Sequence, residues 1–478
     1  SYTFGKSSAP DFKNLQYIYN PSGEYTIGGG DNPVQRFYRY LSENLLDSRV
    51  IAELPLSNKP GLARKVKMGA SYQRMDRKSS QYEYYINTAG YSKPYDGNIT
   101  PYLELSNFSI TTGDNAGVPY HELELYYQGS QRFWDHNVGY SDIASAFAMM
   151  DYSLRHSLRV SGGLRVEDAV LYTDATVYDT LGYDSEDPRR TLKPGILKKL
   201  SFLPSANVIY KLKDSEDDPI NLRMNYSRTV ARPSIRELSG YYSYDYELRN
   251  YVIGNQNLRT VQINNYDLRL ESYFKSKDNV SLSLFYKSFV DHIELLNTGT
   301  YTWQNVDNSY VAGIELEGKK VLFKKLELRA NVTLVNSRST FDQYDIGINS
   351  QGVLTQGAFQ EHVSRKMFGQ APYIINGIVS YKADSIGLTA AISYNLQGPK
   401  LVIPGLFDKP DVYEFPSHML DVKVSKNLGK YFNISVTIRD IFNAPIRRAY
   451  RRPDGTWLND YDKFRYGTNY LLGIAYKL

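Results

Sequence analysis

The last residues of the chain carry its governing pattern. Tyr470, Leu472, Ile474, Tyr476 and Leu478 alternate with Leu471, Gly473, Ala475 and Lys477. Successive side chains of a strand point to opposite faces, so this spacing predicts a β-strand with one apolar, aromatic face and one face of mostly small or charged residues. The alternation recurs along most of the chain. Leu326, Leu328, Ala330, Val332 and Leu334 oppose Glu327, Arg329, Asn331 and Thr333. Phe432, Ile434, Val436 and Ile438 oppose Asn433, Ser435, Thr437 and Arg439. Leu388, Ala390, Ile392 and Tyr394 do the same, as do Val66, Met68, Ala70 and Tyr72 near the start. An apolar edge at a free terminus invites aggregation in a soluble protein, whereas a barrel wall in lipid requires an apolar outer face. A one-residue slip would exchange the faces and put Arg or Lys in lipid, at about 2–4 kcal/mol each near the midplane. Leu326, Val332, Ile434 and Ile474 are therefore expected to face lipid. Arg269, Glu271, Glu327, Arg329 and Arg439 are expected to face the lumen.

The connections alternate in length. Residues 57–61, 154–156, 213–219, 275–279, 322–324, 382–385 and 427–430 read as short turns, rich in Lys, Asp, Asn, Ser or Gly. Between them lie long segments: 74–139, 173–199, 231–263, 295–307, 339–371, 397–417 and 440–466. Short turns on one side and long loops on the other predict an all-β, transmembrane antiparallel β-barrel with short periplasmic turns and long extracellular loops. Seven hairpins and a closing strand give about fifteen strands. A propeller, the soluble alternative, has short and even loops around a repeat of about 40–50 residues. An odd count makes the first strand run inward. Residues 1–42 then read as an extracellular loop segment, and 43–478 as a partial barrel with further strands expected before it.

Composition narrows this picture. Of 478 residues 14% are aromatic, 44 of them Tyr, and none is Cys. Mean hydropathy is −0.47, and no stretch approaches the 18 or so consecutive apolar residues of a membrane helix. A barrel strand spends only alternate residues on lipid, so it is not excluded, and the tyrosines suit interface girdles. The net charge of +5 is spread along the chain, which is no footprint for nucleic acid. Without Cys there is neither a disulfide framework nor a thiolate metal site.

One stretch is more specific. Asn225-Tyr226-Ser227-Arg228-Thr229-Val230-Ala231-Arg232-Pro233-Ser234 leads into Arg236-Glu237-Leu238, then Gly254-Asn255-Gln256-Asn257-Leu258, then Asn265-Tyr266-Asp267-Leu268. This resembles the barrel of TonB-dependent outer-membrane receptors. Leu203-Pro204-Ser205-Ala206-Asn207 is similar to a preceding strand of that family, and Arg439-Asp440-Ile441-Phe442-Asn443 to a segment near its C-terminus. The resemblance implies a barrel of about 22 strands, a plug domain filling it and a TonB partner. Neither a plug nor a TonB segment is read in this chain, and Leu478 stands where an aromatic is usual. It also implies energised uptake of a scarce ligand: a siderophore, cobalamin, an oligosaccharide or a peptide. A structural subunit that keeps the barrel without transport is the alternative. Outer-membrane lipid and lipopolysaccharide are expected partners, with a surface lipoprotein or other outer-membrane subunits as further ones.

No enzymatic signature appears. The six histidines, His121, His136, His156, His292, His362 and His418, have no metal-ligand spacing. The acidic run Asp184, Glu186, Asp187 lacks the spaced Asp/Asn-Gly pattern of a Ca²⁺ loop. No catalytic residue, metal or cofactor is expected. Binding candidates sit on the long loops. Tyr241, Tyr242 and Tyr244 offer rigid amphipathic contact area, and Arg447 and Arg448 near Trp457 form a basic cluster for an anionic ligand or lipopolysaccharide.

Overall fold

The computed structural model describes residues 16–19, 25–28, 34–57, 64–87, 93–94, 110–115, 118–123, 126–129, 135–178, 189–191, 194–240, 242–245, 248, 250–297, 301–323, 325–348, 354–405, 410–452 and 454–476. Among them fifteen strands form the wall. They are β1 (Val34–Pro55), β2 (Arg64–Asn87), β3 (Asp135–Arg155), β4 (Leu158–Tyr178), β5 (Gly195–Lys213), β6 (Ile220–Ala231), β7 (Val261–Tyr273) and β8 (Asn279–Asn297). There follow β9 (Tyr301–Leu322), β10 (Leu326–Ile348), β11 (Tyr373–Ala383), β12 (Leu388–Gln397), β13 (Ser417–Leu428), β14 (Phe432–Arg439) and β15 (Asn469–Tyr476). Each pairs antiparallel with the next.

The strands follow one another round a ring. Its seam lies between β15 and β1, which share no paired register among the described residues. Fifteen alternating strands leave these two running the same way. Residues 42–55 of β1 are exposed on both faces, as is all of β15 except Gly473. β1 itself begins at Val34 and runs through residue 42 without a break.

Register converts the sequence pattern into layers. On one face Leu222, Leu270, Leu282, Leu316 and Val332 are direct partners across β6 to β10. The next row is Met224, Leu268, Leu284, Ile314 and Leu334, and the one after it Tyr226, Tyr266, Tyr286, Ala312 and Asn336. On the opposite face one row reads Asn221, Glu271, Ser281, Glu317, Asn331, Asn376 and Asn395 across seven strands. Charges on this face are satisfied sideways. Glu271 accepts from Arg223 at 2.6 Å and Arg269 at 3.2 Å, and Arg269 also reaches Glu317 at 2.6 Å. Asn376 donates to Asn331 at 2.7 Å, and Asn395 to Asn376 at 2.5 Å.

The strands outlast the alternation. The stretch 74–139, read from sequence as loop, holds the end of β2 out to Asn87 and the start of β3 at Asp135. The stretch 295–307 is mostly ladder, since β8 runs to Asn297 and β9 starts at Tyr301. There Glu294, Leu295 and Leu296 are consecutive and each only 1% exposed. Loops cover both faces at that height, so period two disappears while the backbone pairing continues.

The family-like motifs have local physical causes. After β6, Arg232 bonds Glu167 of β4 at 2.6 Å. Ser234 then caps the single helical turn Ile235–Leu238 in a capping box with Glu237. Ile235 and Leu238 are buried. A side chain at Gly139 would meet Ile235 at 2.7 Å, and one at Gly195 would meet the Leu238 carbonyl at 2.3 Å. The return passes Gly254, where a Cβ would lie 1.8 Å from the Ser239 carbonyl and 2.6 Å from that of Arg236. Asn255 donates from its backbone to Glu237 at 2.7 Å and from its side chain to Trp303 at 3.0 Å. Leu238 and Leu258 join Ala169, Leu171 and Leu197 in one apolar cluster. The segment is thus a clasp folded against the charged-face side of β3 to β5. Near the end, Asp440 and Asn443 take positive φ, 52° and 42°, as the chain leaves β14. Asp and Asn tolerate that turn better than most residues.

Two outcomes follow for stability. Glu271→Ala strands the Arg223 guanidinium and removes one of the two carboxylates that hold Arg269, and should lower unfolding stability in denaturant by about 1–3 kcal/mol. Glu327→Ala, an exposed pair with Arg329, should cost under about 1 kcal/mol; equal effects would contradict the network. Gly254→Ala should cost about 2 kcal/mol of local stability. It would be seen as faster amide exchange in 235–258 with β7 to β9 unchanged, and unaltered exchange there would count against the clasp.

Candidate functional site at the long-loop rim

Four strands outside the wall form a separate antiparallel sheet: Lys400–Ile403, Asp411–Glu414, Ile446–Arg451 and Trp457–Phe464. Ile403 and Val412 pack with Leu248, Val252, Leu295 and Tyr301, flanked by Trp303, Phe368, Tyr450 and Tyr461. This apolar contact seats the sheet on the long-loop ends of β8 and β9.

Its other side chains stack. Phe415 and Trp457 have ring centroids 4.2 Å apart, and Tyr413 meets Trp457 edge-on at 6.3 Å. Arg447 lies 4.2 Å over Phe415, and Arg451 lies 5.0 Å over Trp457 and 5.3 Å over Tyr413. Such contacts stabilise a cation against an aromatic face by about 0.5–2 kcal/mol. The candidates Arg447, Arg448 and Trp457 are therefore brought together, but their guanidinium groups have internal partners. Arg447 is 2.7 Å from Asp460. Arg448, 7% exposed, is 3.4 Å from Glu414 and 3.8 Å from Asp462. The Arg447 guanidinium holds the Asp460 carboxyl below the usual carboxylate range.

A buried polar node lies beneath. Glu294 accepts from the Phe368 amide at 2.9 Å, and Arg365 is 3.2 Å from Asp411, which accepts from the Gly405 amide at 2.8 Å. Glu294 is buried there. Among the described residues no three His, Cys, Asp or Glu side chains gather as metal ligands.

Tyr241 lies outside the described residues. Tyr242 and Tyr244 lie on the strand Tyr242–Asp245, paired with Asn250–Ile253, and their side chains are outside the described part. The acidic run at 184–187 is likewise outside it. Arg269, Glu271, Glu327 and Arg329 share the charged face of the wall, Glu327 lying 2.5 Å from Arg329 and 3.1 Å from Lys319. A cavity of about 690 Å³ on that face is lined by Glu317, Lys319, Arg329, Asn331, Asn376 and Asp421 among others. Arg439 stands apart at the end of β14, opposite Asn469. On the apolar face Leu326 is the register partner of Leu322 and Tyr381, and Val332 of Leu316 and Ile375. Ile434 pairs with Lys426 and Ile474.

Sequence reasoning missed Glu294, Arg365, Tyr413 and Phe415. The spacing of Tyr413 and Phe415 two residues apart, as on one strand face, was an available signal. Nothing in the sequence marked Glu294 or Arg365, which stand 71 positions apart in the chain.

Known proteins bear on this geometry. A family model described as TonB dependent receptor-like, beta-barrel, matches residues 1–443. None of the curated proteins compared matches the sequence. Among solved structures, the siderophore receptor PiuA from Acinetobacter baumannii has a TM-score of 0.53 at 12% identity, over 95% of this chain and 57% of its own. The ferric yersiniabactin uptake receptor FyuA from Yersinia pestis has a TM-score of 0.52 at 13% identity, over 94% and 56%. The ferric-catecholate import receptor Fiu from E. coli K12 has a TM-score of 0.51 at 11% identity, over 95% and 60%. At such identity the likeness is one of fold, and the chain spans 56–60% of the length of these three structures. With the two-faced strand wall, the long-loop rim and a family match running through residue 443, this chain belongs to the TonB-dependent receptor-like β-barrel family of outer-membrane proteins.

Proposed function

We propose that the chain is the wall of a receptor that captures a scarce ligand at the cell surface and takes it up across the outer membrane. A plug fills its lumen, and TonB delivers the energy. The observation that carries this reading is the two-sided wall. The rows Leu222 to Val332 and Met224 to Leu334 form a face fit for lipid, while the row Asn221 to Asn395 forms a polar one fit to enclose a plug or passing solute. On this reading Leu326, Val332, Ile434 and Ile474 face lipid, and Arg269, Glu271, Glu327, Arg329 and Arg439 face the lumen.

The long-loop rim is then extracellular. The Tyr413, Phe415 and Trp457 stack provides aromatic faces for the ligand, edged by Arg447 and Arg451. Siderophore, cobalamin, oligosaccharide and peptide all remain compatible with that surface. A ferric chelate is the first to test, because FyuA is a ferric yersiniabactin uptake receptor and Fiu a ferric-catecholate import receptor.

The seam supports a partial wall. β1 and β15 run the same way, so joining them directly would make one parallel pair in an otherwise antiparallel ring. An odd number of further strands restores the alternation, and the family's about 22 strands leave about seven for that gap.

Uptake of radio-iron chelates by iron-starved cells tests the function. Deleting the gene, or deleting TonB, should abolish accumulation of at least one chelate. Undiminished uptake of a panel of chelates in both strains would contradict the ferric-ligand reading, and cobalamin or glycans would be tested next. The mature protein should also have an intact mass well above 54.7 kDa; a mass equal to it would contradict the partial wall.

A further inference from the structure

We propose that the charged face of β9 to β13 carries a site that recognises both free ends of a short peptide, about four residues long. This rests on the receptor reading above, in which that face lines the lumen, and it narrows the four ligand classes left open there to one. The site is the cavity of about 690 Å³. One register row crosses it: Lys319, Arg329, Ile378, Ser393 and Asp421 are successive partners from β9 to β13. The row lies three rungs from Leu322–Leu326, the last pair before a short turn, so the site stands toward the short-turn, exit end of the wall.

The two ends of this row carry opposite charge. Lys319 and Arg329 share one carboxylate, Glu327, at 3.1 Å and 2.5 Å. Arg329 spends Nε on that contact, and its terminal nitrogens have no partner among the described residues. Glu317, the other acid beside them, is held by Arg269 at 2.6 Å. That end therefore has one positive charge in excess. At the far end Asp421 accepts from the Asp440 amide at 2.9 Å and has no ion pair among the described residues. Lys423 and Arg439, the cations nearest to it along β13 and across to β14, do not line the cavity. Between the ends runs the amide ladder of the adjoining row, Asn395 to Asn376 to Asn331. A carboxamide has two N–H donors and two acceptor sites, so each rung keeps a donor or an acceptor for a ligand.

Span and charge select the occupant. Neighbouring strands lie about 4.8 Å apart, so Arg329 on β10 and Asp421 on β13, three strands on, stand about 14 Å from each other. An extended chain covers about 3.3–3.6 Å per residue, and four residues bridge that distance. The terminal carboxylate then meets the free guanidinium nitrogens of Arg329, a bidentate contact, and the terminal ammonium meets Asp421. The peptide groups between them lie along the Asn331–Asn376–Asn395 ladder. A neutral glycan would leave both ends of the row unmatched, and a compact anionic chelate would bring like charge to Asp421.

The test titrates the full mature protein in phosphatidylcholine nanodiscs with tetra-alanine, its N-acetyl form and its C-terminal amide, by calorimetry. Tetra-alanine should bind the wild type at least about tenfold more tightly than either blocked form, and more tightly than di-alanine. Asp421→Asn should remove the preference for a free N-terminus and keep the preference for a free carboxylate. Arg329→Gln should do the reverse. The preference that each variant keeps shows that it has folded. Equal affinity for free and blocked peptides, no binding at all, or loss of both preferences in both variants would overturn the site. Such a result leaves the receptor reading intact, since that reading is tested by uptake in cells.

Discussion

A strand in hydrocarbon has no water for its amides, so every N–H and C=O in the membrane must find a partner on the strand alongside. That requirement fixes register, and register fixes which residues meet. Once Leu316 is opposite Val332, Glu317 must be opposite Asn331, and the whole polar row from Asn221 to Asn395 follows. The carboxylates of that row pair with arginines two residues along: Glu271 holds two arginines, and Arg269 spans two carboxylates. The same requirement makes the seam between β15 and β1 the weak point of the wall, because no paired register joins those two edges among the described residues.

The wall was legible because its two faces differ, one apolar and the other polar and charged. Alternation at Leu326 to Leu334 and Phe432 to Ile438 located β10 and β14, and the odd strand number came from counting turns. Legibility ended where the solvent contrast ended. Past the tyrosine row, β8 and β9 continue with both faces covered, so 295–307 looked like loop although its backbone remains in the ladder. The residue patterns that signal a strand are side-chain patterns, and a ladder buried on both sides has none of period two.

The rim was less legible for a different reason. Arg447, Arg448 and Trp457 were visible as a cluster in sequence, and they are a cluster in space. Their acidic partners Glu414, Asp460 and Asp462 come partly from another loop, and no local pattern announces which charges a loop sheet will neutralise. Conversely, Arg329 and Asp421 are 92 positions apart in the chain, and only register shows them in one row. The motif segment after β6 was read as a fingerprint of the fold. Its glycine is explained by carbonyls that close on Gly254 from three sides, and its small helical turn by a capping box.

The central claim is that this chain is a wall with lipid on one face and an enclosed polar lumen on the other. Spin labels placed one at a time along β9 test it in reconstituted membranes. Labels at Ile314 and Leu316 should collide more with oxygen, which concentrates in lipid. Labels at Glu315 and Glu317 should collide more with a water-soluble nickel complex, and the two profiles should alternate out of phase with period two. Profiles without alternation, or with Glu315 and Glu317 on the oxygen-rich side, would contradict the account.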